Sequence, residues 1–256
     1  MPTSVSFAHH LDGLALAAAR LHAYGDAAGL DTVVPTARDW TVRDLVAHQG
    51  MVHRWATSVV RGEGQVDTDA LEREGREALD PMAWLGHGAD RLRAALRRAP
   101  QDLDVWFFLP DAPAPRHAWA RRQCHETTVH AVDALAAKEG RVPTADEADI
   151  TAELAADGID ELLLGFATRR DEQLRTTGTP FEVEVRADDT GDVWRGRVSD
   201  GPLRVVRGTE ARDADAVVHG SAAQLFLGLW NRGDELQTSG RDVVPLWRER
   251  MQVSWS

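Results

Sequence analysis

Three side chains on two predicted helices have the types and spacing of a metal site. Glu126 and His130 are four residues apart, which places them about 40° apart around a helix, so both can face one ion. His48 lies on the apolar stripe of another predicted helix, where a buried imidazole needs a partner. Two histidines and one carboxylate leave coordination positions open, and this set suits Zn²⁺, although Fe²⁺ or Ni²⁺ can use the same ligands.

The spacing alone is a weak signal. An acidic residue four positions before a histidine also occurs at Asp44/His48 and at Asp215/His219, and roughly one or two such pairs are expected by chance in this composition. The alternative is an ion pair on a solvated helix face. The combination with His48 on an apolar face is what favours a metal site over that alternative.

Two other kinds of chemistry are excluded near this helix. His125 and His130 are five residues apart, whereas the zinc-protease motif needs its histidines four apart. Cys124 is the only cysteine, so an intramolecular disulfide and cysteine-based zinc sites are impossible. It lies about 200° around the helix from Glu126, which predicts a small buried hydrophobe that faces away from the ligands. A reactive thiol must then come from outside the chain.

The elements that position these residues follow from helical periodicity and capping signals. Thr41 and Asp44 predict the start of the helix that carries His48, and Trp40 can pack onto Leu45 as a hydrophobic staple. The predicted helices run from about Phe7 to Ala28, Thr41 to Val60, Pro81 to Arg98, Arg116 to Glu139 and Ile150 to Arg170. The polar stretch Arg61 to Asp80 predicts a loop or lid, and Pro110 to Pro115 an extended connection.

The last third of the chain has strand alternation instead. Predicted strands are Phe181 to Val185, Val193 to Val198, Leu203 to Val206 and Ala216 to Val218, and predicted helices are Ser221 to Trp230 and Arg241 to Arg250. We therefore expect an α plus α+β protein with an N-terminal helical bundle over residues 1–174 and a small α+β domain over residues 178–256.

Composition limits the partners. The chain has 256 residues with 41 acidic and 29 basic side chains, a net charge of -12 that argues against a nucleic-acid partner. The apolar runs Leu14 to Ala19 and Leu162 to Ala167 are too short to span a bilayer, and Met1 to Phe7 has no basic leader region, so we expect a cytoplasmic protein. Lys138 is the only lysine, and the preference for arginine suggests a GC-rich bacterial genome.

Two segments carry a family resemblance. Trp40 to His48 and Arg121 to Asp133 resemble the two hallmark helices of the mycothiol-dependent maleylpyruvate isomerase family, among the DinB-like metal-binding bundles. The tail from about Phe181 is similar to that family's sterol-carrier-like domain, so the resemblance covers nearly the whole chain. It implies a DinB-like up-down four-helix bundle with metal ligands at His48, Glu126 and His130, and mycothiol as cofactor or co-substrate.

The resemblance also implies a reaction. A divalent ion, with Zn²⁺ as the first choice, would lower the pKa of an incoming thiol. The thiolate would add reversibly to an activated cis double bond and leave after rotation, whereas in a transferase it would stay attached. In the family an arginine of the C-terminal domain binds the carboxylate substrate; Arg232 is the candidate catalytic residue and Arg241 the second, although either can be a solvent-exposed cation. Asp133 can orient His130 or pair with Arg122.

Several alternatives stay open. The expected partners are a small-molecule thiol and an electrophilic, anionic substrate, with no nucleic acid or membrane, and the resemblance favours a monomer. A non-catalytic metal or ligand-binding sensor is the alternative to an enzyme, and a scaffold with a relic site is a third. Trp106 to Phe108 could line a pocket, and His53 could be a fourth ligand only if its helix were distorted.

Overall fold

The structure is a computed structural model that describes residues 3–109, 111–169, 174–208 and 213–251. It divides into two compact units. The helical unit comprises Val5–Phe108 and Ala112–Pro143, and the sheet unit comprises Thr144–Ser256 with the short segments Met1–Ser4 and Leu109–Asp111. Pro110 and the predicted helix end at Arg170 lie outside the described residues. The domain ranges 1–174 and 178–256 stay a prediction.

Four long helices build the helical unit, as the periodicity predicts. They are α1 (Phe7–Ala28), α2 (Val42–Arg61), α4 (Pro81–Arg98) and α5 (Pro115–Glu139), with the shorter α3 (Thr68–Glu77) between α2 and α4. α1 packs on α5 and α4, and α2 packs on α4 and α5. Their shared core includes Leu21, Leu45, Leu85 and Ala134, all fully buried. No described helix is long and apolar enough to cross a membrane.

The caps of the two helices that carry the candidate ligands follow the sequence. Thr41 and Asp44 form a reciprocal capping box at the start of α2: the Asp44 carboxylate accepts from the Thr41 backbone N–H at 2.9 Å, and the Thr41 hydroxyl accepts from the Asp44 backbone N–H at 3.3 Å. Gly62 ends α2 and Gly140 ends α5, both with left-handed backbone.

Two elements of the helical unit differ from the sequence prediction. The stretch Arg61 to Asp80, predicted as a loop or lid, contains α3, which Asp67 caps and which packs on α2. In α3 only Gly75 is buried, so the hydrophobic periodicity that signals a helix was missing. The second difference is an unpredicted antiparallel hairpin of β1 (Val33–Val34) and β2 (Ala37–Thr41) just before α2.

The described strands of the sheet unit form a five-stranded sheet in the order β5-β4-β3-β6-β7. The strands are β3 (Phe181–Ala187), β4 (Val193–Val198), β5 (Arg204–Arg207), β6 (Ala216–Gly220) and β7 (Gln237–Gly240). β3 and β6 are parallel and the other neighbours antiparallel. The predicted strands are thus present, whereas β7 was not predicted. The edge strands are β5, where Val206 is exposed, and β7, where every residue is exposed.

Helices accompany the sheet. They are α6 (Ala145–Ala148), α7 (Ala152–Asp160), a π-helical segment (Glu161–Phe166), α8 (Ala167–Arg169), α9 (Ala222–Leu229) and α10 (Val244–Arg250). α7 packs against α9, and the Trp194 indole N–H of β4 donates to the buried Asp160 carboxylate at 2.7 Å. The predicted helix starting at Arg241 begins three residues later, at Val244, and residues 241–243 form an irregular connection from β7.

Candidate metal centre

The helical unit brings together the three side chains that the sequence singled out. His48 extends from α2, and Glu126 and His130 extend from α5 one helical turn apart. One ligand atom from each lies within 4.8 Å of the other two. His130 Nε2 is 3.3 Å and His48 Nε2 is 3.9 Å from Glu126 Oε1. Ligands of a tetrahedral zinc ion with bonds of about 2.0–2.1 Å are about 3.3 Å apart, so these spacings are close to those of a metal site.

The state of His48 Nε2 supports this fit. All three side chains are buried, and Nε2 of His48 is a buried polar atom with no hydrogen-bond partner among the described residues. An orphaned buried nitrogen is costly unless something satisfies it. Its nearest charged neighbour, Glu126 Oε1, is too far for a hydrogen bond but well placed to share a cation with it. The donor set therefore fits a divalent ion.

The two oxygens of Glu126 have separate environments. Oε2 accepts from Arg122 Nη2 at 2.8 Å, and Oε1 faces the histidines. Burial raises the pKa of Glu126, but the Arg122 guanidinium and the His130 imidazole outweigh it and hold that pKa well below its usual value. Glu126 is thus a carboxylate with one oxygen tied to a cation and one oxygen directed at the ligand cluster.

Asp133 fixes the tautomer of His130. The Asp133 carboxylate can only accept, and its Oδ2 lies 2.9 Å from His130 Nδ1, so Nδ1 carries the proton and Nε2 faces Glu126. Burial lowers the pKa of His130, but Asp133 and Glu126 overcome this and raise it to about 9. The site thus favours positive charge at His130 Nε2, which a proton or a metal ion can supply. The predicted orienting role of Asp133 agrees with this geometry.

An indole lies against both histidines. The Trp40 ring centroid is 4.9 Å from that of His48 and 6.0 Å from that of His130, and the His48 and His130 rings are 5.2 Å apart in a T-shaped arrangement. Trp40 was predicted only as a staple onto Leu45. Trp40 directly precedes the N-cap of α2 and lies eight residues before His48. This position in the sequence was the only feature from which its closeness to the histidines could have been predicted.

The other residues named from the sequence have different surroundings. His53 is fully buried, with Nε2 2.9 Å from Thr127 Oγ1 and 2.8 Å from Gln49 Nε2, which fits a packing role. Burial lowers the pKa of His53 to about 3, and the Arg54 guanidinium adds to the effect. Cys124 is fully buried, as predicted.

The two candidate arginines lie in the sheet unit. Arg232 follows α9, is partly buried, and donates from Nη1 to the Trp230 carbonyl at 2.9 Å. Arg241 is exposed and its guanidinium carbon lies 3.9 Å from the centre of the Phe181 ring.

A helical bundle with a buried His-Glu-His cluster, accompanied by a unit built on a mixed sheet, defines a two-unit α+β protein whose bundle is suited to a divalent ion. Two domain models of one protein family match this chain. Residues 11–135 match the mycothiol maleylpyruvate isomerase N-terminal domain and residues 153–248 match the C-terminal domain of the same family. The chain belongs to the mycothiol maleylpyruvate isomerase family.

Solved structures show the same fold. The mycothiol-dependent maleylpyruvate isomerase is 17% identical to this chain, with a TM-score of 0.60, and a histidine-to-alanine mutant of that isomerase has a TM-score of 0.63 at the same identity. Each match covers 93% of this chain and 96% of the other. A search of curated proteins found no match.

Proposed function

We propose that this chain is a metal-dependent enzyme that uses mycothiol to isomerise an unsaturated keto acid. The observation that carries the proposal is the convergence of His48 Nε2, Glu126 Oε1 and His130 Nε2 within 4.8 Å in a buried part of the bundle. Family membership supports the thiol and the reaction type, because both domains of the family match.

Each residue of the cluster has a proposed part. His48, Glu126 and His130 would hold the ion, with Zn²⁺ as first choice. A divalent ion bound there supplies a Lewis acid that lowers the pKa of an incoming thiol. Asp133 keeps the His130 lone pair on Nε2 by accepting from Nδ1, and Arg122 holds Glu126 in its charged form.

The reactive sulfur is proposed to come from mycothiol rather than from the chain. Cys124 is fully buried, and the thiolate form of a buried, apolar cysteine is disfavoured. Modification of the folded protein with a thiol reagent should be slow, and Cys124→Ala should keep its turnover. Loss of turnover in a folded Cys124→Ala protein would contradict the proposal that the thiol comes from mycothiol.

The cytoplasm, where small thiols stay reduced, is the proposed location of the protein.

Binding of the substrate carboxylate is assigned to Arg232, with Arg241 second. A charge-assisted hydrogen bond contributes about 1.5–3 kcal/mol, so Arg232→Ala should raise KM about 10- to 100-fold. Arg241→Ala tests the second candidate, and Arg204→Ala is the matched control because it removes the same charge from an exposed position of the same unit. A larger rise in Arg241→Ala would transfer the role to Arg241, and no rise in either would exclude both.

The metal proposal is tested by elemental analysis of untagged protein purified without a nickel column. The wild type should hold close to one divalent ion per chain, and His48→Ala and Glu126→Ala should lose it. His22→Ala removes an exposed imidazole from α1 and should keep the ion. A wild type without metal, or undiminished metal in the two ligand variants, would contradict the proposal.

Turnover separates the proposed isomerase from two alternatives. Cis-trans isomerisation of maleylpyruvate without net loss of mycothiol supports an isomerase, whereas stoichiometric thiol consumption with an electrophile supports S-transfer. A sensor should show neither isomerisation nor thiol consumption.

The observation that favours a ligand-binding sensor is a pocket in the sheet unit lined by apolar side chains such as Val185, Trp194 and Leu229.

A further inference from the structure

The β1–β2 hairpin meets the His-Glu-His cluster at two points. Thr36, in the turn of the hairpin, donates from Oγ1 to Asp133 Oδ1 at 2.5 Å. Trp40, on β2, places its ring against His48 and His130. All of these residues belong to the helical unit. Thr36 lies 97 positions before Asp133, so only the fold brings this contact about.

The first contact completes the environment of a buried carboxylate. Asp133 is fully buried, its Oδ2 accepts from His130, and its Oδ1 accepts from Thr36. With both oxygens engaged, the plane of the carboxylate is fixed, and this plane determines where His130 Nε2 is directed. Partners that orient a ligand histidine in this way commonly contribute 10- to 100-fold to metal affinity.

The second contact places an apolar surface beside the ligands. The Trp40 ring lies at 48° to the His48 ring and at 27° to the His130 ring, with centroids 4.9 and 6.0 Å away, so one indole lies beside both imidazoles. Trp40 is itself partly buried and packs on the core of the helical unit. An indole in this position limits the rotation of both rings and shields them from water, which strengthens electrostatic interactions at the site.

We propose that this hairpin is part of the metal centre: Thr36 is a positioning residue that acts on His130 through Asp133, and Trp40 is the wall that holds the two ligand histidines in place. The inference rests on the proposed metal site. It predicts that changes in the hairpin alter metal affinity, whereas a hairpin that only completes the core would alter stability alone.

Thr36 is tested by Co²⁺ titration of chelator-treated protein, followed by the visible absorption of the bound ion and by competition with Zn²⁺. Thr36→Val should weaken binding about tenfold, because it removes the hydroxyl at nearly constant volume. Thr36→Ser keeps the hydroxyl and should restore binding to within about twofold of the wild type. Thr190→Val removes a similar threonine-to-aspartate hydrogen bond in the sheet unit and should leave binding unchanged.

Trp40 is tested by fluorescence in the same titration. Bound Co²⁺ quenches nearby indoles, so Trp40→Phe should lose most of the quenching, and Trp40→Ala should weaken binding more than Trp40→Phe. Trp55→Phe is the matched control, since Trp55 lies about two helical turns beyond His48 on α2 and its ring packs against Trp119.

The outcomes distinguish the two levels of the argument. If the wild type binds neither Co²⁺ nor Zn²⁺, the metal site itself fails and the role of the hairpin with it. If the wild type binds but Thr36→Val matches its affinity and Trp40→Phe keeps its quenching, the metal site stands and the hairpin inference is overturned. An equal loss of affinity in Thr190→Val would also overturn it.

Discussion

Arg122 Nη2 donates to Glu126 Oε2 at 2.8 Å in a part of the helical unit where both side chains are buried. The pair joins consecutive turns of α5 and leaves Glu126 Oε1 directed at His48 and His130. One carboxylate oxygen is thus paired with a cation of the protein, and the other is the oxygen that would bind the proposed ion. If that ion binds, the Arg122–Glu126 pair should affect both the stability of α5 and the metal affinity.

Removing one partner of the Arg122–Glu126 ion pair should lower the free energy of unfolding substantially, because the remaining charge stays buried. Arg122→Met removes the guanidinium that donates to Glu126 Oε2, and breaking a buried ion pair from one side commonly costs about 3–5 kcal/mol of unfolding free energy. Glu126→Gln removes the other charge of the pair and should also destabilise the fold. The double variant has neither charge and should lose less than the sum of the two single losses. Urea unfolding of chelator-treated protein measures the cycle, and additive losses would show that the two groups do not interact.

Metal removal should lower thermal stability through the proposed ligands. A site filled at about 100 times its Kd stabilises the folded state by about 2.7 kcal/mol, which for a chain of this size shifts Tm by about 5–10 °C. Scanning calorimetry with Zn²⁺ and with a chelator should show this difference in the wild type and in His22→Ala. In His48→Ala the two melting curves should coincide; a full shift in that variant would place the ion elsewhere.

His53 should make the metal-free protein less stable in mild acid. Its folded-state pKa, about 3, lies below the ordinary value of 6.5, so the unfolded chain takes up a proton first as the pH falls. The contribution of neutral His53 is therefore present above pH 6.5 and lost between about pH 6.5 and 3, at up to about 1.4 kcal/mol per pH unit. Urea unfolding at pH 7 and pH 5 should give a smaller difference for His53→Gln than for the wild type. Equal differences would show that His53 is not the titrating group.

Gly50 of α2 and Gly86 of α4 should respond oppositely to alanine. A Cβ at Gly50 would lie 2.0 Å from Cζ3 of Trp84, a ring held by the Arg54 guanidinium stacked 3.5 Å from its centre, so Gly50→Ala should cost about 1–3 kcal/mol. A Cβ at Gly86 would have no neighbour within 4 Å, and Gly86→Ala should gain up to about 1 kcal/mol from helix propensity. Chemical denaturation measures both, and equal effects would contradict the packing of Trp84 on α2.

The long helices and the proximity of His48, Glu126 and His130 could be predicted because both depend on local information. The Thr41 cap and Gly62 defined α2, and helical spacing placed Glu126 and His130 on one face. The apolar stripe around His48 predicted that it would face into the bundle, where α5 meets it. The cap residues and the helical spacing together indicate which face of α2 and which face of α5 carry these side chains.

The rest of the site depends on contacts between distant parts of the chain. β1 has two residues and no alternation, so its pairing with β2 has no sequence signature, and Thr36 reaches Asp133 only through that pairing. α3 was missed because its buried residue is Gly75, whose lack of a side chain lets Trp84 pack closely. Close packing of this kind is a property of the folded molecule and is not visible in hydrophobic periodicity.

The two edges of the sheet bear on how the molecule behaves among its own copies. An edge strand offers unpaired backbone groups on which another chain can add a strand, the first step of aggregation. β5 begins and ends with the exposed arginines Arg204 and Arg207, and β7 consists of exposed small or polar residues, Gln237 to Gly240. A second copy that paired through β5 would bring its own arginines close to Arg204 and Arg207, and like charges oppose that pairing even though Val206 is exposed between them. The short edge strands, one with charged ends and one without large apolar side chains, therefore discourage strand addition.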